Sequence, residues 1–231
     1  MPSLTKILHF LSSALVTAVS VAILAYAMSA DWATTTMECT RQGSPFANGS
    51  AVVQLRLFQA AVQRIVCPAF GGEDTFEVFP KLVETGGAPV ILHGLVLGLL
   101  ALCLLCSLCS ILISIYNSVS NPYETYMGPV GMYACSSLSA CLAVLLIILY
   151  VVNLFATQMA EDLVQAFSGG IQAEFRNKSA TMHVGFFLVI PYIVLSIIAI
   201  ILIYMYDHAA YTHRREQQRP TEDAPKEIMM Y

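Results

Sequence analysis

Residues 90–116 read VILHGLVLGLLALCLLCSLCSILISIY, a run without a single Asp, Glu, Lys or Arg. A helix rising about 1.5 Å per residue needs roughly 20 apolar residues to cross about 30 Å of hydrocarbon. The run meets that length with margin, and an amphipathic helix on a soluble core would carry charge on its outer face. Residues 7–30, 125–160 and 179–206 are equally free of charge. A soluble domain is about one quarter charged, whereas this chain is 57% hydrophobic and 11% charged. The solvent for these runs is therefore lipid. Four spans follow, at 7–30, 90–116, 129–156 and 184–206. They leave short ends at 1–6 and 207–231, a long first loop at 31–89, a tight turn at 117–128 and a medium loop at 157–183.

Charge excludes one class of partner. The formal net charge is −4, and no Lys/Arg cluster is dense enough to neutralise a run of phosphates, so nucleic acid is not an expected partner. The first apolar run could be read as a secretory signal, with Lys6 as the positive n-region and Ala27, Met28 and Ser29 as a small-residue cleavage site. An h-region is about 7 to 15 residues long, shorter than this run, so a retained span is expected.

Basic residues do not orient the spans: Lys6, Arg214, Arg215, Arg219 and Lys226 are balanced by Arg41, Arg56, Arg64, Lys81, Arg176 and Lys178. Two glycosylation sequons do. Asn48-Gly49-Ser50 and Asn177-Lys178-Ser179 fall in the two loops that share one side of a four-span chain. Both termini are then expected in the cytosol, the protein being a multi-pass protein of the plasma membrane. Asn48 is the better acceptor, because Asn177 lies close to the fourth span.

In the long loop, Val53-Gln54-Leu55-Arg56-Leu57 and Phe76-Glu77-Val78-Phe79 alternate apolar and polar residues, as half-buried strands do. A small sheet is expected. Leu57, Phe58, Ala61, Val62 and Ile65 also recur at helical spacing, which leaves residues 57–66 open between strand and helix. Residues 161–167 read as an extension of the third span that stops at Gly169-Gly170.

Seven cysteines divide by location. Cys39 and Cys67 are the pair in the long loop, and in an oxidising compartment so isolated a pair bonds. Closing a loop of roughly 28 residues removes denatured-chain entropy worth about 3.5 kcal/mol. Cys103, Cys106, Cys109, Cys135 and Cys141 lie within spans and read as soft packing residues. A metal would need thiolates in lipid without compensating charge, so no metal and no cofactor is expected.

Small residues recur at spacing four: Ala14, Ala18 and Ala22; Gly94 and Gly98; Gly131, Cys135, Ser139 and Ala143. Such stripes let helix backbones approach closely in lipid, so Gly94, Gly98, Gly131 and Ser139 are expected in helix packing, within the molecule or against a second copy. His93 is a neutral-range titrating group inside a span, without an evident ionisable partner, and reads as a boundary histidine bonded to water or to a neighbouring carbonyl. Pro191 removes a backbone donor and is expected to kink the fourth span near residues 187–191. No catalytic pair is present in the pattern, and an enzyme is not expected.

The turn and the start of the third span, Tyr116-Asn117-Ser118-Val119-Ser120-Asn121-Pro122-Tyr123-Glu124-Thr125-Tyr126-Met127-Gly128-Pro129-Val130-Gly131-Met132-Tyr133, resemble the corresponding stretch of the clarins, four-span proteins distantly related to claudins. Met1-Pro2, Trp32, Cys39, Cys67, Phe79-Pro80 and Met230-Tyr231 stand where clarins place similar residues, and the tail 214–225 is most similar to the third clarin paralogue. Cys67-Pro68-Ala69-Phe70 departs from the Cys-Gly-Leu-Gly of other clarins. A tetraspanin would carry its cysteine-rich loop second, a connexin would have cysteines in both loops, and a claudin would show Gly-Leu-Trp ahead of its cysteine pair.

The resemblance implies a claudin-like fold: an all-α transmembrane four-helix bundle with a small disulfide-linked extracellular β-sheet in the first loop. It also implies a non-catalytic organiser of membrane specialisations, in sensory-cell, synaptic or actin-associated settings. The competing class is a channel or a channel-auxiliary subunit. Membrane lipids and membrane or scaffold proteins are the expected partners. The end Ile228-Met229-Met230-Tyr231 places Met229 and Tyr231 as alternate side chains of a strand that a PDZ domain could add to its sheet. The sequons generate the first prediction. A glycosidase-sensitive mobility shift is expected and should vanish in Asn48→Gln. No shift with Asn177 intact would invert the topology.

Overall fold

The computed structural model describes residues 4–41, 49–67, 71–119, 128–167 and 173–217. Four of its helices are long and apolar enough to cross a membrane: α1 (Leu4–Ser29), α3 (Ala88–Val119), α4 (Pro129–Ala156) and the run formed by α6 (Val184–Phe187) with the start of α7 (Val189–Gln217). They form a ring of neighbours in which α3 touches α1 and α4, and α7 touches the same two. Two more helices, α2 (Val78–Thr85) and α5 (Met159–Gln165), are too short to span.

The bundle interior is unlike a soluble core, because apolar surface gains nothing by leaving lipid for protein. Serines take many of the contact positions, and their hydroxyls are spent inside. Ser110 and Ser136 share a hydrogen bond of 2.9 Å between α3 and α4. Ser13 donates to the Ala199 carbonyl, joining α1 to α7. Tyr192 shares a bond of 2.8 Å with Ser107 and donates to the Cys103 carbonyl. Toward the N-terminal end of α1, Phe10, Ile113, Met132 and Ile203 close the bundle with apolar packing.

Beyond the other end stands one antiparallel sheet in the order β4-β3-β2-β1-β5, with β1 (Ala33–Arg41), β2 (Gly49–Leu55), β3 (Gln59–Ile65), β4 (Gly72–Glu77) and β5 (Ala173–Met182). Alternation gives it one buried face: Ala33, Thr35, Met37 and Cys39 on β1, Ala51, Val53 and Leu55 on β2, Ala60 and Val62 on β3. Met159, Ala160, Leu163 and Val164 of α5, with Val78 and Leu82 of α2, complete the same core.

Several expectations change here. Residues 57–66 are strand for most of their length, because β2 otherwise presents a bare edge to water whose backbone groups need partners. The alternation at 76–79 ends early, since β4 stops at Glu77 and Val78 begins α2. Residues 161–167 are not an extension of the third span: α4 ends at Ala156, the Thr157 hydroxyl bonds back to the Asn153 carbonyl, and α5 is a separate helix that roofs the sheet. The medium loop then contributes the fifth strand, for which no expectation existed. The helix of the fourth span also runs on into the polar tail, because α7 continues through Gln217. The kink falls where Pro191 demands it. Without its N–H the carbonyl of Phe187 loses its helical donor, and the helix breaks at Leu188.

Gly94 and Gly98 do not pack against another span of this chain. A methyl group at Gly94 would meet the Phe79 ring at 3.3 Å, and one at Gly98 would meet nothing within 4 Å. Gly131 sits opposite Ile113, and the Ser139 carbonyl accepts from the Cys103 thiol at 3.5 Å, so those two positions do lie in the α3–α4 contact.

Gly49 generates a prediction. Its Cα lies so close to the end of β3 that an added Cβ would stand 2.0 Å from the Val66 carbonyl oxygen and 2.4 Å from that of Ile65. Backbone cannot yield as a side-chain tip can. Gly49→Ala should cost about 2–3 kcal/mol and reduce the oxidised fraction of the Cys39–Cys67 pair on a non-reducing gel. Unchanged oxidation would show that the strand end relaxes freely.

Candidate functional site

The candidate site is the disulfide-stapled sheet and its seat on the bundle. Cys39 ends the inward row of β1, and Cys67 follows β3. Pairing of Cys39 with Gly49 and of Ser50 with Ile65 brings the two cysteines together across the end of β2. They form a disulfide, with Cα atoms 5.5 Å apart and both side chains buried. The staple closes the sheet end farthest from the spans.

Trp32 holds the near end. It is fully buried, and its indole N–H donates to the Ala27 carbonyl at 2.7 Å. That carbonyl lies in the last turn of α1, where the Ala30 N–H also reaches it at 3.3 Å, so the indole adds a second and shorter bond. The Trp32 backbone N–H donates to Leu55 on β2 and its carbonyl accepts from His183 after β5, at 2.8 and 2.9 Å. The ring meets Tyr150 of α4 edge-on at 4.8 Å and lies 6.4 Å from Phe186 of α6. Gly185 permits this, since a Cβ there would fall 2.6 Å from the indole Cδ1 and 2.9 Å from the Asp31 carbonyl oxygen. One side chain thus touches α1, α4 and α6 while its backbone bonds to the sheet.

His93 supplies a second tie. It is buried, and its Nε2 stands 2.9 Å from the Leu57 carbonyl at the β2–β3 turn. Nε2 is the donor, and of the two partners expected from sequence, water or a carbonyl, the structure supplies a carbonyl, from a residue distant in the chain. Val78 at the start of α2 donates to the neighbouring Phe58 carbonyl, so the turn is held from two sides. A third tie is polar: Lys178 on β5 bonds Glu161 of α5 at 2.9 Å and the Thr157 carbonyl at 3.2 Å. Partial burial, with Glu161 adjacent, raises the Asp162 carboxyl above its ordinary range, and Lys178 works against the rise. A raised folded-state value favours the protonated form, so the group's contribution to stability improves as the pH falls through the carboxylate range.

Asn177 stands exposed on β5 with φ of 52°, a conformation asparagine tolerates better than other side chains, beside a register shift in the β1–β5 pairing. Its amide donates to Glu38 at 2.7 Å. Asn48, and Met229 and Tyr231 of the tail, lie outside the described residues. Among the described residues no three His, Cys, Asp or Glu side chains converge to hold a metal ion. Sequence reasoning had placed Trp32 only by resemblance and missed Gly185 altogether. A glycine one residue before the Phe186-Phe187 pair was the available signal.

The sequence aligns from end to end with three curated proteins. It is 31% identical to mouse Clarin-3, 31% identical to rat Clarin-3 and 29% identical to human Clarin-3, each over 235 aligned positions that cover all of both chains. The chain belongs to the clarin family. No family model matches it. As a clarin it is a multi-pass membrane protein with a claudin-like fold, four spans and a disulfide-linked sheet.

The seat predicts a graded response in this clarin. Trp32→Phe keeps an aromatic ring but removes the shorter of the two bonds to the Ala27 carbonyl, leaving the 3.3 Å one from Ala30, at about 0.5–1.5 kcal/mol. Trp32→Ala also empties the junction and should cost about 3–5 kcal/mol. Thermal unfolding in detergent should rank wild type above Phe above Ala. Equal midpoints for all three would remove Trp32 from its role as the seat.

Proposed function

We propose that this clarin is a non-catalytic organiser of membrane specialisations at the plasma membrane, linking them to partner proteins in the sensory-cell, synaptic or actin-associated settings that the resemblance implies. The observation that carries the reading is a folded sheet fixed to the bundle at several separate points: Trp32 on Ala27, His93 on Leu57 and Gly185 on Asp31. A rigid platform of this kind transmits position from one side of the membrane to the other. The interior hydroxyls of Ser107, Ser110, Ser136 and Tyr192 bond to one another, which supports a structural use of the bundle over a conducting one.

The sheet faces the cell exterior and both termini face the cytosol. The Cys39–Cys67 bond supports that orientation, because disulfides persist in oxidising compartments, and glycans at Asn48 and Asn177 would agree with it. Lipids surround the spans, and membrane or scaffold proteins, a PDZ domain on Met229 and Tyr231 among them, bind from either side.

Affinity capture of the full chain in mild detergent tests the reading. Scaffold or cytoskeletal proteins should co-purify, and binding through the tail should be lost when the C-terminus is amidated. A co-purifying pore-forming protein would replace the organiser with a channel-auxiliary subunit. A tag after residue 231 should react with antibody only in permeabilised cells, and reaction in intact cells would overturn the orientation.

A further inference from the structure

Exposed aromatic residues mark the sheet-side ends of three spans. Tyr26 closes α1, Phe155 closes α4 and Phe187 opens the fourth span, each with more than half of its side chain uncovered by protein. Such residues settle where hydrocarbon meets headgroup. The sheet-side end of α3 has none. Its exposed large side chains there are Ile91 and Leu95, and Tyr116 near the opposite end is the only Phe, Tyr or Trp in the helix.

Two phenylalanines from outside the spans occupy the missing place. Phe79 on α2 lies against Gly94 of α3, and Phe58 projects from the β2–β3 turn that His93 holds. Both rings are exposed, at 41% and 49%. With Pro80 they border a groove of about 400 Å³ whose other walls are Leu97, Gln59 and Glu77. On α2 the buried residues Val78 and Leu82 point to the sheet core, while Phe79 and Val83, four apart, form a second apolar face that the protein leaves largely exposed.

Depth can be read from α3 itself. Its 32 residues span about 48 Å at 1.5 Å each, more than about 30 Å of hydrocarbon. With Tyr116 at one boundary, the roughly 20 residues that cross the hydrocarbon end near residue 96. Gly94 and Leu97 therefore bracket the other boundary, and the groove opens onto it. Its apolar floor is continuous with the lipid-facing side of α3, and its polar residues, Gln59 and Glu77, belong to the sheet.

We infer that Phe58, Phe79 and Val83 insert into the sheet-side leaflet and that the groove between Phe58, Phe79 and Leu97 holds an acyl-chain segment of a phospholipid. The sheet domain is thereby anchored by lipid as well as by Trp32. The turn and α2 act as an interfacial element of the first loop, of the kind that lies in the plane of the membrane with its apolar face buried in the acyl boundary.

The test labels the full chain with para-fluorophenylalanine at one position at a time and reconstitutes it in phosphatidylcholine nanodiscs for fluorine NMR. Phe58 and Phe79 are the test sites. Phe175 is the control, because it pairs with Cys39 at the far end of the sheet. Phosphatidylcholine carrying a nitroxide near the carboxyl end of its acyl chain should relax positions 58 and 79 several-fold more than 175. A water-soluble gadolinium chelate should reverse that order. Chelate relaxation at 58 and 79 equal to that at 175 would place the rings in water and overturn the proposal. Silence toward both reagents would show that protein covers the patch, a second copy being the obvious cover, and would overturn it equally.

Discussion

Everything above the membrane in this structure depends on where one indole sits. Trp32 lies at the point where the chain leaves a helix that lipid has solvated and enters a sheet that water has solvated. The indole N–H bonds the Ala27 carbonyl at 2.7 Å, beside the longer bond from Ala30, a contribution of about 0.5–1.5 kcal/mol. The same residue's backbone bonds to β2 and to the segment after β5, so the first and last chain segments to reach the sheet are tied at one place. Gly185 is the complement of that ring. Its missing side chain is the space the indole uses.

The two halves of the molecule are stable for different reasons. In the core under the sheet, Val53, Leu55, Leu57, Val62 and Leu163 are buried away from water, and hydrophobic transfer of about 25 cal/mol per Å² applies. In the bundle it does not, because lipid is as apolar as leucine. There the gain comes from close packing and from hydroxyls that would be costly to leave unpaired in hydrocarbon, which is why serine recurs where α3 faces α4 and α7. A small sheet with one face open to water is marginal alone. The disulfide at its far end, the roof of α5 and the seat on the spans supply what its size cannot.

Stiffness of this kind bears on function. A sheet joined to its bundle by a single flexible linker would move independently of it, whereas Trp32, His93 and Lys178 fix three separate parts of it to helices. A rigid connection suits the organiser role proposed above, because a partner held on one side would then be held at a defined place relative to the other.

The sequence by itself determined the solvent of each segment. Runs without charge define spans whatever they pack against, since no fold compensates a stray carboxylate in hydrocarbon cheaply. Two isolated cysteines in one loop likewise carry their pairing with them, and a proline in a span breaks the helix locally. What tertiary structure decided are the features in which one segment answers another. Residues 59–65 are equally suited to helix by spacing, and became a strand because β2 had an open edge. Residues 173–182, with Arg176, Asn177 and Lys178 interrupting any alternation, became a strand because β1 did. Gly94 and Gly98 have the spacing of a helix contact, yet one faces Phe79 and the other open space. A stripe of small residues states that a backbone can be approached and does not state by what. Composition reports the solvent of a residue directly, while edge pairing and close approach depend on a partner distant in the chain.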